Sequence, residues 1–289
     1  MLTEYNIVYH THNTYEAPVQ EALFEFLVSP CPDATQTITK VTFYNSLGVE
    51  VYHHKNTFGF QRDCIRSVKP FTELEFSMTA TVLKAQPTPI GPLQMTFAEE
   101  EALLQARDFY IDHHLFLEFG KYTTIDEQYA DQILKKQSDQ SVYNYLWQLN
   151  QHINGMLEYD TDPTDVHTTA SEVLELGKGV CQDYAHLFIA MARHNHIPCR
   201  YVSGYLNQGP NLQGGAVMHA WAEGLIPGYG WYGFDPTNNY VTDVNHIKTA
   251  HGVDYSDCSP IKGILKTNGG NSTDYKVEVK QMQMAEAAQ

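Results

Sequence analysis

Residues 74–82, Leu74-Glu75-Phe76-Ser77-Met78-Thr79-Ala80-Thr81-Val82, alternate apolar and polar side chains with a period of two, as a strand with one buried face requires. Tyr5 to His10 alternates more weakly, and Ala22 to Val28 is strongly apolar. Val41-Thr42-Phe43-Tyr44 and Val49-Glu50-Val51-Tyr52-His53 are short β-rich runs on either side of Asn45-Ser46-Leu47-Gly48. Short strands broken by polar turns predict an N-terminal antiparallel β-sandwich over residues 1–83. Pro87, Pro89, Gly91 and Pro92 make residues 84–96 a stiff connector and a domain boundary.

Beyond residue 97 the period lengthens. Glu99 to Arg107 reads as one helix, and Val142 to Ile153 as another with Leu146, Leu149 and Ile153 on one stripe. Thr169-Ala170-Ser171-Glu172 is a capping box that opens a short helix, and Gly177 can end it. The next helix runs from Cys181 to Arg193, with Cys181, Ala185, Phe188, Ile189 and Ala192 on one face, and Pro198 closes that region. Strands follow at 200–206, 219–225 and 230–235, and a last one at Tyr275 to Val279. The pattern is that of an α+β chain, with residues 97–289 as its second domain.

Composition narrows the options. The 289 residues carry a net charge of −16, which repels phosphate backbones and anionic lipid, so nucleic acid and membrane surfaces are not expected partners. No apolar run approaches the 18 or so residues of a membrane span. The start, Met1-Leu2-Thr3-Glu4-Tyr5-Asn6, lacks the basic and apolar regions of a secretion signal, so a cytoplasmic location is expected. Cys31, Cys64, Cys181, Cys199 and Cys258 are odd in number and contain no C-x-x-C pair, a poor basis for disulfides or structural zinc. His194, His196 and Cys199 have a conceivable ligand spacing but flank a helix end, so neither metal nor cofactor is expected.

Cys181 stands apart from the other thiols. It follows Gly177-Lys178-Gly179-Val180 at the start of a helix, where the helix dipole and unpaired N–H groups favour a thiolate. His219 in Met218-His219-Ala220-Trp221 and Asp235 in Gly233-Phe234-Asp235-Pro236-Thr237 come next, on successive strands. Antiparallel pairing would bring His219 and Asp235 together, so that Asp235 fixes the imidazole tautomer and His219 serves Cys181. A lone cysteine, histidine or Asp-Pro turn is usually structural; the three together, in order and after two glycines, point to thiol acyl transfer. The Cys181 N–H is the natural first oxyanion donor. Gly179, Trp221 and Trp231 are candidate substrate-binding residues, and the Gly-, Asn- and Gln-rich stretch from Asn207 to Val217 is a candidate gate.

These segments resemble one known family. Gly179-Val180-Cys181-Gln182-Asp183-Tyr184-Ala185-His186 through Arg193, Arg200-Tyr201-Val202-Ser203-Gly204-Tyr205, His219-Ala220-Trp221 and Gly230-Trp231-Tyr232-Gly233-Phe234-Asp235-Pro236-Thr237-Asn238 are similar to the bacterial transglutaminase-like superfamily, whose members are often described as candidate cysteine proteases. The resemblance is densest over residues 168–263, and the first region looks like the β domain that accompanies this core. It implies a papain-like core, Cys181 as nucleophile, His219 as base, Asp235 as orienting acid, and no metal in the chemical step. The expected function is acyl transfer on peptide or amide substrates through a thioester, hydrolytic in preference to cross-linking. A protein-glutamine transglutaminase and a catalytically silent binding protein are the alternatives. His196, Cys199 and Cys258 depart from the family pattern without touching the three central residues.

Overall fold

A computed structural model describes residues 2–92, 95–207, 212–213 and 217–282. Six strands come first: β1 (Leu2–Val19), β2 (Glu21–Phe26), β3 (Gln36–Asn45), β4 (Tyr52–Lys55), β5 (Gln61–Ser67) and β6 (Phe71–Ala85). The period-two reading holds on β6, where Leu74, Phe76, Met78, Ala80 and Val82 are all buried. Tyr5, Ile7, Tyr9, Thr11 and Asn13 form the same inward row on β1. Phe26 and Phe76 stack at 3.7 Å between ring centroids, and each such buried ring contributes about 1.5–3 kcal/mol.

Helices α1 (Phe97–Leu104), α2 (Arg107–His113), α3 (Val142–Met156), α4 (Ala170–Leu176) and α5 (Cys181–Arg193) follow, with β7 (Glu158–Tyr159) and β8 (Lys178–Gly179) as a short parallel pair between them. The single helix expected over 99–107 is two, because Ala106 adopts an extended conformation between α1 and α2. Strands β9 (Cys199–Leu206), β10 (His219–Ile226), β11 (Gly230–Asp235), β12 (Tyr240–Val241) and β13 (His246–Gly252) form an antiparallel sheet in the order β12-β11-β10-β9-β13. α6 (Tyr255–Cys258), β14 (Ile261–Lys266) and β15 (Asn271–Met282) complete the described chain.

The expected apolar stripe of α5 understates its burial: all thirteen residues are buried. Between α3 and the sheet the helix has no solvent face, and Ala185, Ala190 and Ala192 keep its packing surfaces flat. Its last residue, Arg193, donates to the carbonyls of Phe116, Glu118, Cys199 and Val253 and to the Thr123 hydroxyl, at 2.8–3.0 Å. One guanidinium thus ties the irregular 114–123 segment to the core.

The final strands do not join the central sheet. β14 pairs with β2, and β15 pairs with β1 over twelve residue pairs from Glu4↔Met282 to Tyr15↔Asn271. Both sandwich sheets, β15-β1-β6-β3 and β14-β2-β5-β4, therefore contain strands from both ends of the chain. Assigning all of 97–289 to the second domain is corrected to that extent: residues 261–282 complete the sandwich. Local pattern identifies a strand; it does not say which distant edge the strand will cover.

Candidate active site

Three local features set the start of α5. Gly177 ends α4 in the left-handed region, at φ 64°, which glycine adopts without the strain other residues incur. Gly179 clears space for Asp183, since a Cβ there would lie 2.6 Å from the Asp183 carboxylate. That carboxylate accepts from the Val180 N–H and the Thr164 hydroxyl, both at 2.8 Å. The helix is thus capped from within its own first turn, leaving Cys181 at the positive end of the dipole. Burial pushes the Asp183 carboxyl up to about 6, and its second oxygen has no partner among the described residues.

His219 heads β10 and Asp235 ends β11. With Ala222 opposite Phe234 in the ladder, the two side chains meet diagonally at the same end of the sheet. His219 Nε2 lies 2.8 Å from Asp235 Oδ2, with both side chains fully enclosed. Burial disfavours a charged ring, but the Asp235 charge and hydrogen bond, with help from Cys181, outweigh it and hold His219 well above its ordinary range. For Asp235 burial works upward, and His219 and His246 overcome it to keep the carboxylate ionised. The other ring nitrogen of His219, Nδ1, makes no formed hydrogen bond among the described residues; Cys181 acts on the ring from a looser contact, as is common in resting sites.

Asp235 accepts more than its histidine partner. The N–H groups of Thr237 and Asn238 donate to Oδ1 at 3.1 and 3.2 Å, and Asn238 Nδ2 donates to Oδ2 at 2.8 Å. A second histidine, His246 on β13, places Nε2 3.2 Å from the same Oδ2 and Nδ1 3.0 Å from Asp243. Sequence reading passed over His246, which has no distinctive neighbours and reaches the site through strand order alone.

A cavity of about 430 Å³ opens on Cys181 and His219, with Val180 and Gln182 at its edge. Gln182 is nearly buried, and its Nε2 has no partner among the described residues. Trp221 stands behind the site: its ring meets His246 edge-on at 5.4 Å between centroids and lies 6.2 Å from His219. Trp231 is elsewhere, stacked under Arg200 at 4.2 Å and against Phe116. Neither tryptophan lines the cavity, and Gly179 acts through Asp183. The room beside Gly233 is taken by Thr242. Of the 207–217 stretch, residues 208–211 and 214–216 lie outside the described residues, and the proposed gate with them.

Two groups among the described residues bring ligand-type atoms within 4.8 Å of one another: Glu25, His54 and Cys64, and His219, Asp235 and His246. The second is the hydrogen-bonded network just described. His194, His196 and Cys199 do not form such a group; His194 packs on Phe119, and Cys199 is wholly buried. No helix among the described residues is long and apolar enough to cross a membrane.

The chain is 25% identical over 280 residues to an uncharacterized protein of Mycobacterium leprae, covering 96% of this chain and 98% of that one. An uncharacterized protein of Mycobacterium tuberculosis is 40% identical over 131 residues, 42% of each chain. A crystal structure from Cytophaga hutchinsonii, of a protein proposed to be a cysteine protease, superposes with a TM-score of 0.75 at 22% identity, over 99% of this chain and 93% of that one; at that identity the likeness is one of fold. Residues 127–236 match the model of the transglutaminase-like superfamily, a span that contains Cys181, His219 and Asp235. The chain is thus an α+β protein with the fold of that crystal structure, and its segment 127–236 is similar to the transglutaminase-like superfamily.

Proposed function

We propose that the protein is a thiol-dependent acyl-transfer enzyme acting on peptide or amide substrates, hydrolytic in its normal turnover. The observation that carries this reading is the enclosed His219–Asp235 pair at 2.8 Å, with His219 lining the same cavity as Cys181 at a helix start. A His219 kept protonated supplies the proton that the leaving amine needs. Cys181 attacks the substrate carbonyl carbon, the C–N bond breaks, and His219 gives its proton to the departing amine. Water, deprotonated by His219, then attacks the thioester; the acid leaves, and the thiolate–imidazolium pair is restored. Asp235 holds the imidazole in place, and His246 with Asp243 holds Asp235. The Cys181 backbone N–H and the unpartnered Gln182 amide are the two oxyanion donors.

Incubation with a glutamine-containing peptide pool and a biotinylated primary amine, followed by mass spectrometry, tests the reading. Cleaved or deamidated peptides that vanish in Cys181→Ala are expected. Cys181-dependent incorporation of the amine would replace hydrolysis by transamidation. Failure of any peptide to change, together with slow iodoacetamide labelling of Cys181 at pH 6, would leave a silent fold. Once a substrate is in hand, Gln182→Ala is expected to lower kcat by roughly 10²–10³-fold, the usual loss for one oxyanion donor, with the iodoacetamide rate unchanged.

A further inference from the structure

We propose that the cavity at Cys181 prefers cationic and rejects anionic acyl substrates, and that one of its walls is supplied by the β-sandwich. The word substrate rests on the thiol acyl-transfer reading above; the charge preference and the wall do not.

The lining is unusual in its charge. Tyr9, Tyr159, Tyr201, Tyr255 and Tyr275 contribute five phenol rings, Asp165 contributes a carboxylate, and no lysine or arginine lines the cavity among the described residues. Tyr159, Tyr201 and Tyr275 line the same cavity as the Cys181 sulfur. Nearby cations are engaged elsewhere. Lys178 bridges Glu158 and Asp160, and Lys276 and Lys280 both pair with Glu278. His219, the one cationic group on the wall, faces Asp235. An incoming carboxylate or phosphate would lose water and meet no free cation. A basic side chain would meet aromatic faces and Asp165, inside the field of a chain with net charge −16.

Ile261 on β14 is one part of the sandwich wall; the others are Tyr9 on β1 and Thr273 and Tyr275 on β15. These last three lie on adjacent strands, with Asn13 opposite Thr273, Thr11 opposite Tyr275 and Tyr9 opposite Val277. The Thr273 hydroxyl donates to Asn13 Oδ1 at 2.7 Å, fixing the strand that carries it. A residue more than ninety positions after the thiol thus borders the same cavity, because the chain's last strand returns to its first.

Rates of modification at Cys181 test this on the full chain without any turnover. The probes are aminoethyl methanethiosulfonate, a cation, and sulfonatoethyl methanethiosulfonate, an anion. Each rate is located at Cys181 by peptide mass spectrometry and divided by that reagent's rate with free mercaptoethanol. The expected result is a normalised preference for the cation on the order of tenfold, weakening as salt is added. Asp165→Asn should reduce the preference. Thr273→Lys should abolish or invert it, while Thr273→Val, which also loses the hydroxyl, should leave it intact. Equal normalised rates in the parent chain, faster reaction with the anion, or a thiol neither reagent reaches would overturn the charge preference. A Thr273→Lys chain with parental circular dichroism and an unchanged ratio would overturn the sandwich wall. If Cys181 shows the preference yet turns nothing over, the acyl-transfer reading falls and the selective cavity stands.

Discussion

Asp183 is the residue at which structure and titration meet most directly. Its carboxylate holds the first turn of α5, yet burial raises it to about 6. A carboxyl raised above its ordinary 3.8 contributes stability that is complete below that value and is lost as pH climbs through 6. Asp183→Asn should therefore flatten the stability profile between pH 4 and 7, removing a decline of about 2–3 kcal/mol, as read by urea unfolding at several pH values. An unchanged slope in the variant would place the titration elsewhere. At this scale the sequence was informative where chemistry clusters: Cys181, His219 and Asp235 each follow a recognisable neighbourhood, and the structure brings them together. His246 was illegible, since its role depends on β13 lying beside β9. The two tryptophans misled because each shares the strand face of its neighbouring site residue, Trp221 two positions from His219 and Trp231 four from Asp235, yet sits further along the sheet than the cavity reaches.

Among the elements, the β9–β10 pair sets the tolerance of the site. Gly204 faces His219 in the ladder, and a Cβ there would press on the Ile247 carbonyl and the Trp221 ring. Gly204→Ala should cost about 1–3 kcal/mol, as overpacking generally does. Because Trp221 backs His246, the same change should also lower turnover per folded molecule. Loss of stability with full specific activity would show that the strain relaxes away from the site. Element types were largely legible, because period-two strands and capped helices leave local marks. The longer strands that were missed, β5, β13 and β14, have weak alternation: β5 is buried on both faces over Arg62 to Ile65, and β14 is mostly exposed.

On the scale of the molecule, the sandwich is not an appendage that could be cut away at the proline-rich connector. β14 and β15 close its two sheets, and Tyr205 and Ile247 of the central sheet sit in its apolar core. A chain ending at Ser259 would keep every residue of the family match and lose both closing strands. It should precipitate or unfold at lower temperature than the full chain, by light scattering and calorimetry; a soluble truncation with the parental midpoint would make the sandwich independent of its last strands. The return of β15 also has a consequence for the order in which the protein is made. The ribosome delivers the sandwich first, then the helix bearing Cys181, then the histidine and aspartate, and only afterwards the strand that walls the cavity. The cavity is thus finished last by the segment that encloses it, so a chain synthesised only as far as Asp235 carries the thiol, the histidine and the aspartate without the wall that β15 contributes.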